Sequence, residues 1–300
     1  MPSKDKSKPT SSRPQTAVEL APEGALAATI PQGSDTRSYA FAPLAAGALV
    51  PGVAEANIRT QDAVVEAIRK VMDELSPRSH AVTVVLPDTS VRVFVLDFDT
   101  LPAKAAEAIP VLRFRLRKMV PFDVEHAALS YQILVQNETT VKVLATVMPG
   151  PVLAEYEAAV RAAGYEPGVV LPSSLASLAG LESLEPILAA NLNGQTLTTS
   201  ITSGQDLHLF RTVDLPEDGE ARTAEIQRSI AVAAAYYEDK LVARARTIYY
   251  AGTQKADEFS RLLADPELKV VDMVPNTGLG ATTALGPLSI AGISGALAGA

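Results

Sequence analysis

Two clusters of short strands broken by glycine turns most constrain what this chain can fold into. "TAVELAPEGALAATI", residues 16–30, reads as two strands across a turn at Pro22 to Gly24. "ILAANLNGQTLTTSITSGQDLHLFRTVDL", residues 187–215, reads as three strands with turns at Asn193-Gly194 and Ser203-Gly204. Asn-Gly is a strong hairpin signal because both central residues of a type I′ turn need positive φ. Each cluster opens a half of the chain, and alternating helices and strands follow. In the first half, apolar residues at 64, 65, 68, 71, 72 and 75 form a helical stripe, with Thr60 or Asp62 as cap. A buried strand at 81–88, an alternating strand at 90–98 and a mainly helical stretch from Pro102 to Val120 come next. A hairpin across Asn137-Glu138 and a helix ended by Gly164 complete that half. In the second half a long helix over 223–243, a strand at 246–252, a helix at 255–265 and a strand at 269–274 follow the cluster. The pattern implies a duplicated two-domain α/β design, although no repeat of fixed period is visible.

Composition excludes several chemistries. The chain has no cysteine, hence no disulfide framework, thiolate metal site or cysteine nucleophile. A net charge of −8 argues against general nucleic-acid binding. None of His80, His126 and His208 has a metal-ligand partner three or four residues away. The polar leader "MPSKDKSKPTSSRPQ" lacks the apolar core of a secretory signal and reads as disordered. Residues 273–300 carry no charge, but they are mostly small, are interrupted by Pro287, and have Gly295 and Gly299 at close-packing spacing. They read as a loop and a packed helix rather than a membrane span. The glycine-rich "NTGLGATTALG" lacks a phosphate-loop lysine and reads as a loop.

"VLPDTSVRVFVLDFDTLP", a helix, then "RKMVPFDVEHAALSYQIL" resembles the PilM family, the cytoplasmic actin-like proteins of type IV pilus assembly. In that family a helix closes on a Pro-Phe pair followed by acidic residues and a Tyr-Gln strand. "AEYEAAVRAAGYEPGVV", "QRSIAVAAAYYEDKLVARARTIYYAG" and "LSIAGISGALAGA" are similar to later family segments, in the same order. The resemblance implies an actin-like (ribonuclease H-like) two-domain α/β fold with a small inserted αβ subdomain. It implies a leader over 1–15, a first half over 16–172 with the insert at about 78–150, and a second half over 173–300. The C-terminal helix would pack back on the first half.

The family binds ATP between its halves, and the resemblance maps that site onto Glu19, Asn191, Gly194 and Gly252. Each position departs from the family pattern. The first hairpin wants Asp-x-Gly, a carboxylate for hydrated Mg²⁺ and a glycine that lets backbone N–H groups approach phosphate. Here it reads Glu19-Leu20-Ala21, followed by Pro22. The second hairpin has Asn191-Leu192-Asn193, with Gly194 left to supply a displaced turn. The adenosine-side Gly-Gly pair is reduced to Ala251-Gly252-Thr253. The expectation is a non-enzymatic scaffold with no cofactor; the alternative is an ATPase using Glu19 and a water-mediated Mg²⁺.

The basic run Arg113, Arg115, Arg117, Lys118 suits a helix C-terminus, where cations meet the macrodipole. The family docks the cytoplasmic tail of a bitopic inner-membrane protein, PilN, near this segment. By position that role falls on Arg113, Phe114, Arg117 and Phe122. The implied protein is cytoplasmic and peripheral at the inner membrane, in a pilus machine or a type II secretion platform, with a homo-oligomer or ring also possible.

Overall fold

The computed structural model describes residues 13–31, 36–181, 183, 185–204, 206–274 and 288–298. The leader through residue 12, the glycine-rich segment 276–286 and Gly299 lie outside the described residues.

The first half is built on β1 (Thr16–Ala21), β2 (Gly24–Thr29), β3 (Ser38–Pro43), β4 (Ala81–Leu86) and β8 (Glu166–Pro172). They form one sheet in the order β3-β2-β1-β4-β8. β1–β3 are an antiparallel meander, whereas β4 joins β1 and β8 in parallel. The parallel link needs a crossover helix, supplied by α1 (Gln61–Leu75) between β3 and β4. Its buried Val64, Val65, Ile68, Val71 and Met72 are the predicted stripe. Thr60 caps α1 without a side-chain hydrogen bond, and Asp62 lies in the first turn. With α3 (Gly150–Ala162), α1 covers one face of the sheet.

The second half repeats this topology. β9 (Ile187–Asn193), β10 (Thr196–Ser203), β11 (Asp206–Asp214), β12 (Thr247–Gly252) and β13 (Lys269–Asp272) form a sheet in the order β11-β10-β9-β12-β13. α5 (Gly219–Leu241) and α6 (Ala256–Leu263) cover one face, through Ile226, Ile230, Tyr237 and Phe259. Gly194 and Gly204 make the two predicted turns, at φ of +54° and +58°.

Two short helices lie between the sheets. α4 (Ser173–Leu178) and α7 (Ala291–Ala296) pack together. Ala176, Ile293 and Ala296 meet the uncovered face of the first sheet at Ala17, Leu26 and Val85. Leu178 and Ala291 meet Ile187, Ala189 and Ala251 of the second. The approach is close: a Cβ at Gly295 would stand 2.0 Å from the Ala176 carbonyl oxygen.

The insert consists of β5 (Arg92–Phe98), α2 (Ala105–Leu116), β6 (Ala127–Gln136) and β7 (Val141–Pro149). Its antiparallel sheet runs β5-β7-β6 and packs α2 through Leu112, Leu116, Val141, Val143, Ala145 and Val147. The insert begins at Arg92 rather than near residue 78, because β4 is a central strand of the main sheet. The near-unbroken apolar run "AVTVVL" suits a strand covered on both faces. α2 also stops earlier than the predicted Val120. Its last turn tightens to a Met119 N–H to Leu116 oxygen bond of 2.8 Å, closing the helix before the residue that Pro121 biases away from it. Among the described residues, no helix is long and apolar enough to cross a membrane.

Candidate functional site

A cleft of about 370 Å³ opens between the halves, where the β1–β2 turn faces the β9–β10 turn. β1 alternates, with Val18 and Leu20 facing α1 and Ala17 facing α4 and α7. Glu19 shares the Ala17 face by strand periodicity and is therefore carried inward. It is buried, and the Ser173 hydroxyl donates to its Oε1 at 2.6 Å. Its Oε2 makes no hydrogen bond of full geometry, although the Ile293 backbone N–H is near enough to favour the ionised form. Burial is the main reason the carboxyl is pushed up to about 7; the Ser173 hydrogen bond opposes this, and Asp88 reinforces it. Gly292 leaves room for this arrangement, since a Cβ there would lie 3.0 Å from each carboxylate oxygen and 2.5 Å from Ser173 Oγ, and both side chains would have to shift.

Asp88 is the second buried acid. It begins the 3-10 turn Asp88–Ser90 after β4 and accepts the Ser174 backbone N–H at 3.0 Å. The Ser174 hydroxyl donates to its Oδ2, as does the Thr198 hydroxyl at 3.3 Å. Burial raises its pKa against these hydrogen bonds. Asp88 thus ties together the first sheet, the start of α4 and β10 of the second sheet.

Of the four predicted nucleotide residues, Glu19 and Gly194 line the cleft. Asn191 is buried in β9 between Thr198 of β10 and Ala251 of β12, with Oδ1 unpartnered. Gly252 ends β12, where a Cβ would lie 2.7 Å from the Leu192 carbonyl oxygen. Its neighbour Thr253 reaches the cleft. In the first hairpin Gly24 is committed to packing, for a Cβ there would meet the Ala42 carbonyl oxygen at 2.3 Å. Among the described residues the lining includes Glu19, Glu23 and Asp88, three prolines (22, 51 and 87), and neither lysine nor arginine. Among the described residues, no group of three or more His, Cys, Asp or Glu side chains could hold a metal ion.

The insert presents two different faces. On one, α2 carries the four residues predicted to dock a partner, and the structure does not gather them into one surface. Arg113 turns inward, donating from Nη2 to the Ala127 carbonyl oxygen at 3.0 Å, with Nη1 buried and unpartnered. Arg117 pairs with Glu125 at 2.5 Å, and Phe122 packs on the insert's own core. Phe114 alone stands clear, 74% exposed.

The other face, that of the even-numbered β7 residues, lines an apolar groove. One part, about 280 Å³, lies among Ala128, Ser130, Thr146 and Met148 of the insert and Leu153, Val170 and Leu171 of the first half. A wider part, about 740 Å³, is lined by Gln132, Leu134 and Leu144 with Leu175 and Leu178 of α4 and Leu207 of β11. Strands β6 and β8, which end their respective sheets, both border the first part.

No protein-family model matches the chain, and no curated protein matches it in sequence. Among solved structures it is similar to the PilM-PilN type IV pilus biogenesis complex, with TM-score 0.70 and 18% identity over 97% of this chain and 99% of that chain. It is also similar to the cytoplasmic domain of EpsL, an inner membrane component of the type II secretion system of Vibrio cholerae. There the TM-score is 0.52 and the identity 13%, over 85% of this chain and 84% of that one. A third structure, a Bacteroides thetaiotaomicron protein with an actin-like ATPase fold and unknown function, gives 0.50 and 11%, over 88% and 94%. The fold is therefore actin-like, as the strand clusters and family motifs predicted.

Proposed function

We propose that this chain is a non-enzymatic, actin-like scaffold of a type IV pilus or related secretion platform, docking the cytoplasmic tail of a PilN-like bitopic membrane protein. It would act in the cytoplasm, peripheral to the inner membrane. The observation that carries the docking role is the groove bordered by two edge strands. An edge strand offers unpaired backbone groups to an extended peptide, and the flanking apolar floor takes alternate side chains. The likeness to a PilM-PilN complex supports the choice of partner. The tail belongs in this groove rather than on Arg113, Phe114, Arg117 and Phe122, which share the α2 side.

The cleft supports a scaffold over an ATPase, because its residues do not fit a magnesium nucleotide. A polyphosphate is held by cations and by N–H groups able to approach it. Among the described residues this lining has three acids, no base, and prolines without N–H groups. Glu19 shares its proton near neutrality instead of presenting a fixed anion, and Asp88 is engaged by Ser174 and Thr198.

Calorimetry with tail peptides of the membrane proteins encoded beside this chain tests the docking role. One tail should bind, Ser130→Arg should weaken it at least tenfold without lowering Tm, and Phe114→Ala should leave it unchanged. Binding that survives Ser130→Arg would remove the groove from the proposal. For the cleft, a ligand at 100 times its Kd stabilises by about 2.7 kcal/mol. Mg-ATP should therefore leave Tm unmoved, and a rise of several degrees would restore the ATPase reading.

A further inference from the structure

We propose that the outer face of α2 is a contact surface for an anionic lipid membrane. The chain as a whole is acidic, at −8, yet Arg113, Arg115, Arg117 and Lys118 fall within six residues. Of the acids nearby, Glu107 pairs with Lys104 and Glu125 with Arg117, while Asp123 is hydrogen-bonded to His126. Arg115 and Lys118 are exposed and make no ion pair or side-chain hydrogen bond. Two uncompensated cations therefore face solvent.

The same surface carries exposed apolar side chains. Among the described residues, seven large hydrophobics are exposed, and three of them, Val111, Phe114 and Met119, lie here. At about 100° per residue, Val111, Phe114 and Arg115 share one face of α2, opposite the buried Leu112 and Leu116 side. Lys118 and Met119 continue it into the turn. An aromatic flanked by long basic side chains is the chemistry of the lipid headgroup region. The ring enters the acyl boundary while the cations, on flexible stems, meet phosphates. The convex face of a single helix gives an acidic peptide little to grip, which favours a membrane over a protein. This contact is independent of the tail groove, which opens on the opposite face of the insert's sheet.

Vesicle sedimentation of the full chain tests the proposal, using phosphatidylcholine alone against phosphatidylcholine:phosphatidylglycerol at 3:1. The overall negative charge makes any preference for anionic vesicles stringent. Binding is expected only to the anionic vesicles at low salt, and should vanish at 1 M salt, where the screening length falls to about 3 Å. At roughly fivefold per cation, R115Q/K118Q should lower partitioning about 30-fold, and Phe114→Ala several-fold. Ser130→Arg should bind vesicles normally. All four substitutions in these three variants are at exposed positions, so an unchanged Tm and circular dichroism spectrum control for folding. Equal binding to both vesicle types, unchanged binding by R115Q/K118Q, or loss only when Lys4, Lys6 and Lys8 are changed to Gln would overturn the proposal. So would R115Q/K118Q abolishing capture of an acidic peptide in the absence of any vesicle binding.

Discussion

Glu19 makes a pH-dependent contribution to stability that can be isolated experimentally. In the unfolded chain its carboxyl titrates at the ordinary 4.5, and in the fold at about 7, so the folded state holds the extra proton between those values. The contribution is fully present below pH 4.5 and is lost as pH rises through 7. At about 1.4 kcal/mol per pH unit the gap amounts to about 3 kcal/mol. Glu19→Gln keeps the shape and the acceptor facing Ser173 while removing the titration. Urea unfolding of both proteins should be followed from pH 4.5 to 8.5. The stability of wild type minus that of Glu19→Gln should fall by about 3 kcal/mol across this range and then level off. Both proteins keep Asp88, so the subtraction removes its intrinsic titration and leaves its coupling to Glu19, which raises the Glu19 carboxyl and acts in the same direction. A difference that stays flat, or that grows in favour of wild type with rising pH, refutes the account of a carboxyl raised mainly by burial.

Two further substitutions test the seams around it. Gly295→Ala places a methyl group 2.0 Å from a backbone oxygen of α4, so it should cost at least 1–3 kcal/mol through overpacking, read as a fall in Tm of several degrees. Ser174→Ala leaves the backbone N–H to Asp88 but removes the hydroxyl donor from a buried carboxylate. It should cost about 1–3 kcal/mol in urea unfolding, and no loss there would show that Asp88 recruits water or a proton instead.

The architecture was legible wherever local pattern decides structure. The turns at Asn193-Gly194, Ser203-Gly204 and Gly164 all take the positive φ that made them stand out. α1 buries its six-residue stripe almost as written, and the family motifs implied the fold. Other features were out of reach for physical reasons. β3 went unread because a six-residue edge strand ending in Pro43 has only two fully buried positions and little periodicity. Ser173, Ser174, Thr198 and Asp88, the polar framework of the cleft, belong to no local motif. Their contacts span 86 to 154 residues of chain, so an ordinary Ser-Ser pair and a strand-end aspartate show their role only when the halves meet. The only sequence cue was that Ser173-Ser174 directly follows a proline at a strand end, a common helix-start arrangement. That the four docking residues form no single surface was not legible, because helical periodicity says which residues share a side of α2, but not that Arg113 would turn inward to Ala127.

The position of α7 also sets an order of events during synthesis. Ile290, Ile293 and Leu297 cover the face formed by Ala17, Leu26, Ala28 and Val85, so the first sheet is capped by residues made roughly two hundred positions after its fourth strand. At roughly 5–20 residues per second, that interval is about 10–40 s. Until α7 emerges, the nascent first domain carries an apolar face that α4 covers only in part through Ala176, and neither Glu19 nor Ser173 has Gly292 beside it. The first domain of this protein is therefore not completed when it is translated: both sheets close only once α7 lies between them.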